Sequence, residues 1–121
     1  MKLLIIEDDP AIARGLIRLL KQDHEVQWAP DIAEAKTLVL RTVFDGILSD
    51  VMMPAGSGAD FHRWLVVHHP HLLPRMAFMT GGMASEMSGY VRGTGAPVLE
   101  KPFLLGPLND VLRGFSKTQE A

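Results

Sequence analysis

Apolar residues along this chain recur in two rhythms that take turns. KLLIIE (Lys2 to Glu7) is a short apolar run rich in β-formers and too short for a helix, so it reads as a strand. Pro10 then suits the first turn of a helix, and Ile12, Ala13, Leu16, Ile17, Leu19 and Leu20 follow at helical spacing, with Arg14, Arg18 and Lys21 on the other face. HEVQW (His24 to Trp28) alternates polar and apolar, as a half-buried or edge strand does. Asp31 is a good N-cap, Glu34 follows three residues later, and Ile32, Ala35, Leu38 and Val39 form the stripe of a second helix.

The alternation continues through the second half. GILSD (Gly46 to Asp50) reads as a buried strand, and a Gly-containing loop leads to Ser57 and Asp60, the cap of a helix carrying Phe61, Trp64, Leu65 and His68 until Pro70 stops it. RMAFMT (Arg75 to Thr80) is a fourth strand. Met83 to Arg92 carries Met83, Met87, Tyr90 and Val91 at helical spacing, but Gly89 lies inside it and costs about 1 kcal/mol relative to Ala, so this helix is short or weak. APVLEKPF (Ala96 to Phe103) supplies the fifth strand, and Leu104 to Phe115 a last helix with Leu108, Val111, Leu112 and Phe115 inward.

Strands alternating with helices in this way predict an α/β protein. The expected architecture is flavodoxin-like and doubly wound: a five-stranded parallel sheet in order 2-1-3-4-5, helices on both faces, right-handed crossovers. In such sheets ligands sit beyond the carboxyl ends of the strands. Those ends carry Glu7, Asp8 and Asp9, then Asp50, Thr80 and Lys101, while the second strand offers only Ala29-Pro30-Asp31, with Asp31 better used as a cap.

Composition narrows the class. The chain of 121 residues is one domain, long enough to bury about two-thirds of the surface its unfolded form exposes. A net charge of −2 gives no general pull toward nucleic acid or an anionic membrane, and no apolar run reaches the length of a membrane span. The N-terminus lacks a signal-peptide pattern, and with no cysteine there is neither a disulfide nor thiolate chemistry. A cytoplasmic location fits all of this.

The strand order places Glu7 and Asp8 beside Asp50. Two like unit charges about 5 Å apart repel by 3 kcal/mol or so at an effective dielectric near 20, so three carboxylates raise one another's pKa values or demand a cation. A hard cation held by one or two carboxylates and water describes Mg²⁺. Lys101 can pair with the remaining charge, and Thr80 offers a hydroxyl to an incoming oxygen. Such a site is suited to accepting a phosphoryl group on Asp50, since an ionised carboxylate needs no general base to act as nucleophile.

At this point the whole chain resembles a receiver domain of the two-component response-regulator family. The matching pieces are IIEDDP with Glu7 and Asp8, LSDVMMPAGSG with Asp50 as phospho-acceptor and Pro54 and Gly58 at their usual offsets, FMTGG with Thr80, and EKPF with Lys101. Each is weak alone, but four in order on the right strand ends are highly specific. The resemblance implies that Asp8 and Asp50 bind Mg²⁺ directly, that Glu7 acts mainly through water, that the Met52 carbonyl is a further ligand and that the Lys101-Pro102 bond is cis. It implies a histidine kinase or histidine phosphotransfer protein as phosphoryl donor, with Ile12, Arg14 and Gly15 of the first helix as a docking position. No enzyme activity beyond self-catalysed phosphoryl acceptance is expected, and no direct binding of nucleic acid.

Departures from the family pattern are informative. Receivers often carry an aromatic switch residue three positions before the lysine, where this chain has Val98. FMTGG, the Gly-rich fourth helix and PVLEKPF resemble receivers of hybrid histidine kinases more than those attached to DNA-binding domains. Met52 and Gly82 occupy the positions that flank the path of a hydrolytic water in the family, and Gly82 has no side chain to position it, so the resemblance implies slow intrinsic dephosphorylation.

Other features read more simply. His68, His69 and His71 at a Pro-containing helix end are solvent-facing histidines rather than a metal site, and Trp28 and Trp64 are packing residues. A docking module without phosphorylation would have a degraded acidic pocket, and a metal-dependent phosphatase would need an acid two residues after the nucleophile, where Met52 stands. Only SKTQEA follows the last predicted helix, so the chain is a single-domain regulator or relay, or a piece of a larger protein.

Overall fold

The computed structural model describes residues 1–53, 56–81, 87–101 and 104–120. The elements run β1 (Lys2–Ile6), α1 (Pro10–Leu20), β2 (Glu25–Ala29), α2 (Ile32–Arg41), β3 (Gly46–Asp50), β4 (Met52–Met53), β5 (Gly56–Ser57) and α3 (Gly58–His68). They continue with a 3-10 helix (Pro70–Arg75), β6 (Met76–Thr80), α4 (Met87–Gly93), β7 (Val98–Glu100) and α5 (Leu105–Glu120). The main sheet has the order β2-β1-β3-β6-β7, every pairing parallel, which is the expected 2-1-3-4-5 once the small β4–β5 hairpin is set aside.

Central strands β1, β3 and β6 are almost wholly buried because both of their faces are covered. Side chains alternate between the two faces and divide the core. Leu4, Ile6, Ile47, Met76 and Phe78 pack with Ile32, Ala35, Val39, Phe61 and Leu65 of α2 and α3. Leu3, Ile5, Leu48, Ala77 and Met79 pack with Leu16, Leu20, Leu108, Leu112 and Phe115 of α1 and α5. Each fully buried Leu, Ile or Phe contributes about 1.5–3 kcal/mol relative to exposure. Gly46 is required at its position because a Cβ there would lie 2.4 Å from the Phe115 ring.

Capping sets where the helices begin. The Asp9 side chain accepts from the amides of Ala11 and Ile12 ahead of Pro10, and Asp31 accepts from Glu34 N. Ser57 and Asp60 form a reciprocal capping box that starts α3 directly after the hairpin.

Several boundaries and faces differ from the sequence reading. Leu19 is 48% exposed rather than part of the inward stripe of α1, because Ala13, Leu16 and Leu20 already fill the contact with the sheet. His68 is exposed at the end of α3, as expected, but His62 is buried on the α4 side, a position that the sequence reading did not single out. The fifth strand is three residues long, and α5 runs on to Glu120. The 3-10 helix takes up the segment between Pro70 and the fourth strand, where two prolines bar a regular helix. Pro54, Gly82, Met83, Pro102 and Phe103 lie outside the described residues, and with them the expected cis bond.

Candidate functional site

The three consecutive acids after β1 have three different settings. Asp9 caps α1, Asp8 is exposed, and Glu7 is fully buried. The Glu7 carboxylate turns inward, with Oε1 2.7 Å from Lys101 Nζ and Oε2 3.4 Å from the amide of Asp9 that donates to it. Its backbone is held from β2 at both ends of the residue. Glu7 N donates to the Ala29 carbonyl at 3.1 Å, and the Trp28 indole Nε1 donates to the Glu7 carbonyl at 2.7 Å.

Asp50 closes β3 and is only 6% exposed. Lys101 Nζ lies 3.3 Å from its Oδ2, so one ammonium bridges Asp50 and Glu7. The chain beyond Asp50 is tied down twice: Val51 N donates to Met79 O, and Gly58 N donates to Val51 O, each at 2.9 Å. Gly58 has a steric reason to be glycine, since a Cβ there would fall 2.5 Å from the Asp50 carbonyl oxygen. Met52 sits in β4 opposite Ser57.

Thr80 ends β6 one residue past Met79, the register partner of Asp50, and is buried. The carbonyl of Thr80 accepts from Lys101 N at 2.8 Å, and this bond delivers the lysine to the site at the end of β7. Glu7, Asp8, Asp50, Thr80 and Lys101 therefore meet at the carboxyl edge of the sheet, around the β1–β3 switch point. Val98 lies on the edge strand β7 and is 36% exposed.

Three carboxylates share one ammonium here. Burial pushes the Glu7 pKa up and the neighbouring Asp50 carboxylate adds to this, outweighing the pull of Lys101 in the other direction. Burial and then Glu7 raise Asp8 as well. For Lys101, burial disfavours the charged form, but Glu7 and Asp50 together more than offset it and its pKa is raised. The lysine stays an ammonium.

The residues present fit a hard divalent cation. Glu7, Asp8 and Asp50 each offer one carboxylate oxygen, and these atoms all lie within 4.8 Å of one another. Glu7 Oε1 is buried with no hydrogen bond of normal geometry among the described residues, its compensation being the close ion pair with Lys101. Among the described residues this is the one acidic or histidine group spaced to hold a metal. The histidine cluster packs on aromatic surface instead: the His68 and His69 rings lie 5.5 and 5.0 Å from Trp64, and His71 lies 5.9 Å from His69.

The fold and this site define a class. The response regulator receiver domain family matches residues 3–113, and the chain belongs to that family. It is 34% identical over 113 residues to the response regulator protein FleR and 30% identical over 112 residues to the response regulator protein PilR, both of Pseudomonas aeruginosa. These alignments cover 92% of the chain but 24% of FleR and 25% of PilR, so the chain spans about a quarter of those relatives. Among solved structures, the non-phosphorylated HemR receiver domain from Leptospira biflexa is 28% identical with a TM-score of 0.79 over 95% of this chain and 94% of that one. The chemotaxis protein CheY4 of Vibrio cholerae is 27% identical with a TM-score of 0.80 over 93% of this chain and 95% of that one. Membership in the family implies phosphorylation on an aspartate in two-component signalling. Among the described residues, no helix is long and apolar enough to cross a membrane.

Sequence reasoning brought forward every charged member of the site but gave β2 no part in it. The missed contribution is Trp28, which acts from inside its strand rather than from beyond the strand end.

Proposed function

We propose that this chain is a phosphorylatable signalling domain that accepts a phosphoryl group on Asp50 from a histidine kinase or histidine phosphotransfer protein, in a Mg²⁺-dependent, self-catalysed reaction. The observation that carries the reading is the convergence of Glu7, Asp8 and Asp50 within 4.8 Å, with Lys101 Nζ 3.3 Å from Asp50 and 2.7 Å from Glu7. A carboxylate oxygen of Asp50 forms the new bond to phosphorus as the P–N bond to the donor imidazole breaks, and the imidazole departs with the electron pair. Lys101 faces the charge that gathers on the phosphoryl oxygens, and the Thr80 hydroxyl serves as their donor. Asp8, Asp50, the Met52 carbonyl and, through water, Glu7 would hold Mg²⁺, which when bound neutralises charge on the transferred group.

The Asp50 carboxylate is largely buried yet open enough to be reached, at 9% side-chain exposure. The exposed start of α1, with Arg14 and Gly15 open and Ile12 half-buried, is the docking position for the donor protein. The added charge of about −2 then biases the domain toward an active state in the cytoplasm. The test is incubation with Mg²⁺ and acetyl phosphate followed by intact-mass measurement. A gain of one phosphoryl group on the wild type and none on Asp50→Asn is expected; no gain, or an equal gain on both, overturns the proposal.

A further inference from the structure

The structure assigns a positioning role in cation binding to Trp28, a residue of the edge strand β2, through the hydrogen bond from its indole to the Glu7 carbonyl at 2.7 Å. The inference rests on the Mg²⁺-dependent reading of the acidic site and extends it to a residue outside that site.

Glu7 C=O and Asp8 N–H belong to the same rigid peptide group. A donor that fixes the carbonyl therefore fixes the plane from which the Asp8 Cα departs. Glu7 N is bound at the other side of the residue to Ala29 O at 3.1 Å, so β2 grips Glu7 before and after its Cα. The buried carboxylate of Glu7 and the exposed carboxylate of Asp8 are thereby aimed by two bonds from neighbouring residues of one strand. Asp9, next along the chain, is already committed to the α1 cap, so the three-residue turn between strand and helix has little freedom left.

The indole itself is well anchored. Trp28 stands in register with Ile5 and packs against the core cluster of Leu3, Ile5, Leu16 and Leu20. A half-buried ring held in this way loses little entropy when its N–H makes a bond. Other residues of similar bulk would fill the space, but Phe, Leu or Met would bring no donor. Packing alone therefore does not account for the N–H being aimed at the carbonyl that leads into Asp8.

Cation ligands need this support because the site is assembled from separate segments, and groups that orient ligands without touching the metal are part of its affinity. Loss of one such hydrogen bond corresponds to a change of roughly 2- to 12-fold in an equilibrium constant.

The test is a Mg²⁺ titration by calorimetry of wild type, Trp28→Phe and Trp64→Phe, with thermal melting to check folding. Trp64 is the control: it is also half-buried, but on α3, against Phe61 and under Lys36. Expected is a folded Trp28→Phe whose Mg²⁺ dissociation constant rises about 3- to 10-fold, with Trp64→Phe unchanged. In ¹⁵N spectra of the wild type, the Trp28 Nε1–H resonance should shift along the same Mg²⁺ isotherm as the Asp8 amide, while that of Trp64 stays still. A Trp28→Phe protein with unchanged affinity, or a Trp28 Nε1–H blind to Mg²⁺, overturns the assignment while leaving the proposed function in place. No Mg²⁺ binding by the wild type overturns both. Should Trp28→Phe fail to fold, the wild-type spectra decide alone.

Discussion

Lys101 and Glu7 meet at 2.7 Å between side chains that are 18% and 1% exposed, with the Asp50 carboxylate 3.3 Å from the same ammonium. The lysine comes from the end of the last sheet strand and the glutamate from the end of the first, so the pair spans the sheet from β1 across β3 and β6 to β7. It compensates two carboxylates at once and leaves a local excess of negative charge.

Removing the ammonium should therefore destabilise the protein. In Lys101→Ala, Glu7 and Asp50 face one another uncompensated, and the cost should be about 2–4 kcal/mol, close to that of breaking a buried pair. Urea unfolding at neutral pH in the absence of divalent ions measures it. A loss below about 1 kcal/mol, the range of exposed pairs, would mean that solvent already screens this cluster.

Asp8 should separate cation affinity from stability. Its side chain is exposed, unlike that of Glu7, so Asp8→Asn should melt within about 0.5 kcal/mol of wild type. Its Mg²⁺ affinity should nevertheless fall by about tenfold or more, since even groups that only orient metal ligands are worth that much. Calorimetric titration beside a melting curve checks both halves. Unaltered affinity would remove Asp8 from the ligand set.

Gly58→Ala should disturb the end of β3 at Asp50, the proposed acceptor. The new Cβ would lie 2.5 Å from Asp50 O and 3.2 Å from Ser49 Oγ, and neither backbone nor a buried strand can yield cheaply. The expected cost is about 1–3 kcal/mol, as for overpacking in a core. Phosphorylation by acetyl phosphate should slow in the variant, because the displaced atom is the carbonyl of Asp50, the proposed acceptor. A variant as stable and as reactive as wild type would show that the α3 start can slide.

Stability should also depend on pH through His62. Its Nδ1 lies 2.8 Å from the Tyr90 hydroxyl, and the Arg63 guanidinium stands 4.4 Å from the Tyr90 ring. Burial, with Arg63 adding to it, lowers the His62 pKa below 6.5 in the folded protein. The unfolded chain therefore binds the proton more readily, and the stability present above pH 6.5 is lost as pH falls from there through the folded pKa. His24, lowered by burial and by the N-terminal ammonium, acts in the same direction. Melting temperatures between pH 7.5 and 5 should decline, and His62→Gln should flatten that decline without abolishing it. An unchanged slope in His62→Gln would place the dependence elsewhere. Glu7 and Asp8, both raised, act with the opposite sign: they bind protons more tightly when folded, so their contribution falls as pH rises from their ordinary range through their folded pKa values.

Much of this protein was legible before folding was considered. The alternation of short apolar runs with helical stripes, the caps at Asp31 and Ser57–Asp60, and the acids and lysine at strand ends are local patterns. Local patterns suffice because the periods of strands and helices are set by the backbone. Doubly wound topology then carries strand ends to one edge, so Glu7, Asp8, Asp50, Thr80 and Lys101 could be grouped from their order alone.

Tertiary structure decided the rest. That Glu7 is buried while Asp8 beside it is exposed depends on what packs over the turn, and no spacing rule distinguishes them. That Leu19 faces outward follows from the sheet contact being filled by its neighbours on α1. The His62–Tyr90 contact joins residues 28 positions apart, and the Trp28–Glu7 bond residues 21 apart. Such pairs form only when separate elements dock, because a side chain's partner is set by distance in space. The sequence alone therefore determined which chemical groups reach the edge of the sheet, whereas the fold determined which are buried, which are paired and which are held in aim.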